Sequence, residues 1–157
     1  MKQTHLATMD DIVFALNTCI ETCTDAERGY AVASADVRSI ELKRLFQDRS
    51  RQRTEFTIAL QAMIASLGAS PENEGTFKGA AHRAWIDVRR ALDGRNDNSI
   101  IEECKRGETA SLETFKRALE RAPLSDMPPS VRDLVSALMK AIESSLEDLE
   151  RLLQPVG

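Results

Sequence analysis

The 157-residue chain has few of the residues that interrupt or cross-link a fold. It contains 4% aromatic residues, two histidines and three cysteines, and its five prolines leave residues 1–70 and 72–122 uninterrupted. The odd cysteine count argues against a disulfide scaffold and fits a reducing compartment. No stretch approaches the roughly 20 apolar residues of a membrane span, and the N-terminus lacks a secretory pattern. We therefore predict a cytoplasmic protein without a membrane segment.

The charge pattern argues against a nucleic-acid partner. The net charge is −4, and the most basic stretch, residues 38–53, is interrupted by Glu41 and Asp48. Binding to duplex DNA normally needs a continuous basic face that displaces counterions from phosphates. We interpret this stretch as a solvated helix face.

Apolar residues recur at helical spacing along most of the chain and predict an all-α fold in a single domain. The predicted helices cover about residues 8–34, 36–67, 76–92, 99–121 and 130–153. The very short linker after the first helix predicts an antiparallel hairpin. Ser130 is the candidate N-cap of the last helix. Gly29, inside the first helix, indicates close packing at that point.

A faint internal repeat suggests how the helices are arranged. The segment Ile20–Cys23 with Glu27 matches Ile101–Cys104 with Glu108 at a constant offset of 81 residues. Each copy lies in the first helix of a hairpin, and a short helix separates the two hairpins. Two hairpins joined by a long crossover form the ferritin-like four-helix bundle. We therefore predict this bundle, with an extra short helix in the crossover.

Four segments carry a resemblance to a known family. They are Cys23-Thr-Asp-Ala-Glu-Arg-Gly-Tyr30, Glu41-Leu-Lys-Arg-Leu-Phe46, His82-Arg-Ala-Trp-Ile-Asp87 and Glu103-Cys-Lys-Arg-Gly-Glu108. With these segments in this order, the chain resembles a bacterial family of small ferritin-like four-helix-bundle proteins classed as a domain of unknown function. The resemblance implies the bundle fold and a stress-associated role. It implies no particular reaction.

Ferritin-like bundles often hold two iron or manganese ions between their helices. Two helices each supply one glutamate, and the other two each supply a Glu-x-x-His motif. Both such motifs are missing here, because Ile58 and Leu146 stand where the histidines would be. A metal site would have to be dominated by carboxylates. Its candidate ligands are Glu27, Glu55, Glu108 and Glu143.

The same glutamates have two other interpretations. Glu27 and Glu108 could pair with arginines such as Arg49 or Arg53, which interrupt the apolar face of the second helix. Alternatively, both glutamates could simply be solvated. The sequence leaves these alternatives open.

His82 and Trp85 lie three residues apart and share a helix face. Either they line a pocket or bind a ligand, or the indole packs on the bundle while the imidazole bonds a backbone carbonyl or Asp87. Tyr30 could stand beside a metal or redox centre, or could be buried with its hydroxyl on a carboxylate.

Cys19, Cys23 and Cys104 could serve as zinc ligands together with His82, but buried cysteines usually pack as small apolar side chains. No common nucleophile, phosphate-binding or dinucleotide-binding motif is present, so whether the protein is an enzyme is left open. These observations lead to two hypotheses for the function. The first is a structural or interaction bundle with a degenerate metal site, which could act as a homo-oligomer. The second is a dinuclear iron or manganese protein that oxidises ferrous iron with oxygen or peroxide.

Overall fold

The computed structural model describes residues 6–70, 80–91 and 96–153, and within these ranges the chain is helical and has no β-strand. The all-α prediction is therefore confirmed. A single 3₁₀ turn at Leu124–Asp126 precedes the last helix. The five α-helices are α1 (Met9–Asp36), α2 (Ile40–Ser66), α3 (Ala80–Ala91), α4 (Asp97–Arg121) and α5 (Pro129–Leu153).

Local side-chain caps fix where three of these helices begin. Thr8 and Asp11 form a reciprocal capping box at the start of α1, and Ser39 and Asn96 cap α2 and α4. These caps place the starts of α2 and α4 at residues 40 and 97, where the sequence predicted about 36 and 99. The predicted limits of the third helix, residues 76 and 92, lie outside the described residues.

The prediction that Ser130 caps the last helix is wrong. α5 begins one residue earlier, at Pro129, so Ser130 already lies in its first turn. Proline suits the first position of a helix, because it has no N–H group that would go unbonded there and its φ angle is already helical.

α1 and α2 form the predicted antiparallel hairpin. The Lys43 ammonium donates a hydrogen bond to the Ser34 carbonyl oxygen, 3.3 Å away, near the connection. Farther along, the Ser50 hydroxyl donates to the Glu27 carbonyl oxygen at 2.9 Å. The paired residue numbers rise on one helix as they fall on the other, so the helices run in opposite directions.

α4 runs antiparallel to α1 on another side. The Arg121 Nε, at the end of α4, donates to the Asp11 carboxylate in the first turn of α1 at 2.6 Å. Just past the end of α1, the Arg38 backbone N–H donates to the carboxylate of Asp97, the first residue of α4, at 2.8 Å. Two bonds thus connect opposite ends of the two helices.

α5 lies against both α2 and α4. An ion pair joins Arg49 of α2 to Asp148 of α5, and a 3.7 Å contact joins Lys105 of α4 to Glu150 of α5. The short helix α3 packs on α1 and α4. None of the helices in the described ranges combines the length and apolar character that crossing a membrane requires.

The apolar core consists of two clusters. One contains Leu16 and Leu60, and the other contains Phe46 and Trp85. On α2, the buried residues before Arg53 belong to one cluster and those after it belong to the other. Glu108 has the same position on α4, and Ser145 on α5. A layer of polar side chains therefore crosses the middle of the protein.

Candidate functional site

A buried ion pair lies at the centre of this polar layer. The side chains of Arg53 on α2 and Glu108 on α4 are 1% and 0% exposed. Nη1 of Arg53 donates to Oε1 of Glu108 at 2.7 Å, and Nη2 donates to Oε2 at 2.6 Å. The planar guanidinium thus binds both carboxylate oxygens, which is the strongest arrangement available to such a pair.

Two further side chains complete the centre. The Tyr30 hydroxyl of α1 donates to Oε2 of Glu108 at 2.9 Å, and Nη2 of Arg53 also donates to the Ser145 hydroxyl of α5 at 3.3 Å. Each of the four long helices therefore supplies one residue. We call Tyr30, Arg53, Glu108 and Ser145 the polar centre.

Two groups of the polar centre, Arg53 and Tyr30, have shifted pKa values. Burial by itself would lower the pKa of Arg53, but the adjacent Glu108 carboxylate holds that pKa above its ordinary value. Burial, reinforced by the Glu108 charge, raises the pKa of Tyr30 well above its ordinary value. At neutral pH the guanidinium is charged and the phenol keeps its proton, so both groups act as donors.

Three buried thiols lie in the apolar core, Cys19 and Cys23 in one cluster and Cys104 in the other. Burial raises the pKa of Cys23 to about 12, although the Arg53 charge opposes the shift. Burial also raises the pKa values of Cys19 and Cys104. The thiolate is the form that binds metals and attacks electrophiles. The three side chains pack with apolar residues of the core clusters, as buried cysteines usually do.

The Trp85 side chain of α3 lies between two glycines, Gly29 of α1 and Gly107 of α4. A Cβ atom at Gly29 would lie 2.2 Å from Cε3 of the indole, and one at Gly107 would lie 2.6 Å from Cδ2. The indole is fully buried, and its Nε1 donates to the Ser111 hydroxyl at 2.9 Å. The close packing predicted at Gly29 is confirmed, as is the packing of the indole on the bundle. We call Gly29, Trp85, Gly107 and Ser111 the tryptophan slot.

The contacts of the tryptophan slot indicate a different alignment of the two copies of the internal repeat. Gly29 and Gly107 contact the same ring, and each follows an arginine, Arg28 or Arg106. Their offset is 107 − 29 = 78 residues, three fewer than the offset suggested by sequence matching. In this register Glu108 corresponds to Tyr30, the residue it contacts, and no longer to Glu27.

His82 of α3 bonds a carboxylate of α1. Its Nδ1 lies 2.9 Å from the Asp25 carboxylate, and its side chain is 39% exposed. The partner is therefore neither a backbone carbonyl nor Asp87, which is exposed. Asp25 was missed from the sequence, although it lies one turn before Gly29 and so shares the face that meets α3.

The four predicted metal ligands have different environments. Glu108 is fully buried and pairs with Arg53, as one of the alternatives predicted. Glu27 is half-buried, and Glu55 and Glu143 are exposed. Among the described residues, no group of three or more histidine, cysteine, aspartate or glutamate side chains could hold a metal ion. The dinuclear site stays a prediction.

Comparison with known proteins gives a family but no activity. The family described as a domain of unknown function (DUF2383) matches residues 11–121. The chain belongs to this family. The DUF2383 match runs from the third residue of α1 to the end of α4. It includes the tryptophan slot and three residues of the polar centre, whereas Ser145 lies beyond it. No curated protein matches the chain.

Proposed function

We propose that this DUF2383 protein is a ferritin-like four-helix bundle in which an ion pair takes the place of a dinuclear metal centre. It then works as a structural or interaction bundle, not as an oxidase. The observation that carries this proposal is the bidentate bond between Arg53 and Glu108 at the middle of the core.

The arrangement of the helices supports the ferritin-like part of the proposal. α1 pairs with α2, and α4 contacts α5, while α3 lies between the two pairs in sequence. Side-chain bonds connect α1 to α4 and α2 to α5. In ferritin-like bundles the metals are held by residues that project inward from all four helices. The polar centre also receives one residue from each long helix.

The residues at this position do not fit a pair of iron or manganese ions. Both oxygens of Glu108 accept hydrogen bonds from Arg53, and one also accepts from Tyr30, so the carboxylate is already engaged. Glu55 and Glu143 are exposed. Arginine keeps its charge at any relevant pH, and a fixed cation repels metal ions. These residues therefore do not support oxidation of ferrous iron at this position.

A buried and fully charged pair suits a scaffold better than a reactive site. Such pairs add little net stability, and in some proteins they fix the register of packed helices. Here Arg53 and Glu108 connect α2 to α4, which are not neighbours in sequence. The bundle then presents a fixed outer surface, and a second copy of the chain is the first partner to test. Sedimentation over a range of concentrations would detect such self-association.

Elemental analysis after incubation with ferrous iron or manganese, followed by desalting, tests the metal-free part of the proposal. We expect well below one metal ion per chain, both in the unaltered protein and in the Glu27→Ala, Glu108→Ala double variant. About two ions per chain, lost in the double variant, would overturn the proposal and favour the dinuclear alternative.

The stress-associated role stays a prediction that rests on the family resemblance alone. It predicts that the amount of the protein in its native cells rises after exposure to peroxide. Immunoblotting would measure that amount, and an unchanged level under peroxide would contradict the role.

A further inference from the structure

The second half of α2 has a solvent-facing surface without charge. Residues 40–55 include eight charged residues, whereas residues 56–70 include none. The side chains of Ile58, Ala62 and Ala65 are nevertheless exposed, and Ile58 is 61% exposed. We propose that this surface, which we call the α2 face, binds the α2 face of a second copy of the chain in an antiparallel helix pair. The inference rests on the proposed function, because it names the partner of the interaction bundle.

The opposite side of the same half of α2 already belongs to the core. Leu60 and Ile64 are fully buried, and Met63 packs partly buried against the same cluster. A helix at a protein surface typically carries charged and polar side chains on the side away from the core. The α2 face has apolar side chains in that place, and contiguous exposed apolar surface marks sites of protein–protein interaction. A partner that covers the α2 face would remove this surface from water.

The spacing of the α2 face fits an identical helix that runs in the opposite direction. Ile58, Ala62 and Ala65 follow one another at intervals of four and three residues, so they lie along one side of α2. In an antiparallel pair centred near Ala62, the branched Ile58 side chain of each copy lies opposite Ala65 of the other. Large side chains opposite small ones let two surfaces interlock. A two-fold axis makes both contacts the same, which is the commonest symmetry of protein dimers.

Charge favours a second copy over a charged partner. The nearest charged residue before the α2 face is Glu55, three residues from Ile58, and no charged side chain lies on the face itself. A charged partner surface would lose its water there without gaining an opposite charge. Charged residues are depleted at the centres of protein interfaces for the same reason. The α2 face of a second copy is an uncharged surface of equal length.

The size of the contact indicates a reversible dimer. Met9 of α1 is 47% exposed, and it lies five turns before Glu27, whose carbonyl oxygen accepts from Ser50 of α2. Met9 is therefore on the side of α1 that is turned towards α2, and it adds apolar surface beside the α2 face. A single helix pair still buries less than the roughly 800 Å² per partner of a standard stable interface. We expect monomers and dimers to exchange as the protein concentration changes.

Sedimentation velocity from micromolar to near-millimolar protein tests the inference. We expect the mass to rise from that of one chain towards that of two as the concentration increases. Ile58→Glu places a carboxylate in the contact, and it should weaken the pairing by at least about tenfold. Ile40→Glu is the matched control, because it makes the same change in the same helix at a residue that is 67% exposed. It should leave the pairing unchanged, and circular dichroism would show that both variants are folded.

Disulfide cross-linking tests the antiparallel arrangement. In a two-fold pair centred near Ala62, this residue meets its own copy, so Ala62→Cys should give a covalent dimer under mild oxidation. The native Cys19, Cys23 and Cys104 are buried and do not compete. Lys140→Cys, at an exposed residue of α5, should stay monomeric under the same conditions.

Three results would overturn the inference. They are a protein that stays monomeric over the whole concentration range, pairing that Ile58→Glu leaves unchanged, and a cross-link that forms with Lys140→Cys but not with Ala62→Cys. In the last two cases the chain would still associate with itself, so an interaction bundle would stand with its contact surface elsewhere. Elemental analysis tests the metal-free centre independently of all three results. Failure of the inference is therefore distinguishable from failure of the proposed function.

Discussion

Gly107 and Glu108 are adjacent in α4, yet they serve two regions that are stabilised in different ways. Glu108 belongs to the polar centre, where opposite charges hold α2 against α4. Gly107 belongs to the tryptophan slot, where the missing side chain lets the indole approach. Tyr30 joins the two regions, since it donates to Glu108 and its ring lies 5.2 Å from the Trp85 ring. The polar centre should therefore be sensitive to the loss of charge, and the slot to added volume.

The largest effect is expected from breaking the charge balance of the polar centre. Arg53→Met leaves the Glu108 carboxylate buried without a counter-charge, and this should lower the free energy of unfolding by about 3–5 kcal/mol. Urea denaturation followed by circular dichroism measures the change. A loss below about 1 kcal/mol would mean that water reaches Glu108 in the folded protein.

Two control variants separate charge from volume. Arg51→Met removes an exposed partner of Asp48 and should change the stability by less than about 1 kcal/mol. The double variant Arg53→Met, Glu108→Met replaces the buried pair by apolar side chains and should recover most of the loss. Failure of the second substitution to restore stability would show that packing, and not charge, holds this region together.

The tryptophan slot should respond to a single added methyl group. Gly107→Ala places a Cβ atom 2.6 Å from the indole, and overpacking of this kind costs about 1–3 kcal/mol. Alanine is also the better helix former by about 1 kcal/mol, so the net loss should be smaller. Thermal unfolding would show a lower Tm, and displacement of the indole would shift the fluorescence of Trp85, the only tryptophan.

A double-mutant cycle with Trp85→Ala isolates the close approach. Once the indole is removed, Gly107→Ala should become neutral or stabilising, because only the helix preference remains. If Gly107→Ala lowered the stability equally with and without Trp85, the close approach of the indole to Gly107 would not be the cause.

Alkaline pH should weaken the core through Cys23. The thiol has a pKa near 9.0 when exposed and about 12 when folded. The folded protein therefore holds this proton more tightly, and stability that is present below pH 9 falls as the pH rises towards 12. The slope from this group is at most about 1.4 kcal/mol per pH unit. Cys23→Ala should make unfolding free energies measured between pH 8 and 10.5 fall less steeply. An identical slope would mean that Cys23 does not contribute.

The sequence was sufficient to predict the helices, and several contacts in these two regions were among the alternatives that it left open. A polar residue within an apolar helix face pointed to Arg53, a glycine inside a helix pointed to close packing, and a lone buried tyrosine pointed to a carboxylate. The contacts of Ser145 and Asp25 were not predicted, because they depend on how one helix is shifted along another. A shift of three residues keeps a side chain near the same helix face, so sequence matching does not distinguish offsets of 81 and 78.

The smallest expected effect tests that register directly. If the offset of 81 is correct, Glu27 corresponds to Glu108, and removing the Glu27 carboxylate should strongly lower the free energy of unfolding. In the structure Glu27 is half-buried, and its carboxylate forms no ion pair within the described part of the chain. Glu27→Ala should therefore change the free energy of unfolding by no more than about 0.5 kcal/mol.

Glu108→Ala, measured in parallel by urea denaturation, should lower the free energy of unfolding by about 3–5 kcal/mol, since it leaves Arg53 charged and unpaired. Similar losses in the two variants would restore the equivalence of the two glutamates and contradict the register set by the tryptophan slot.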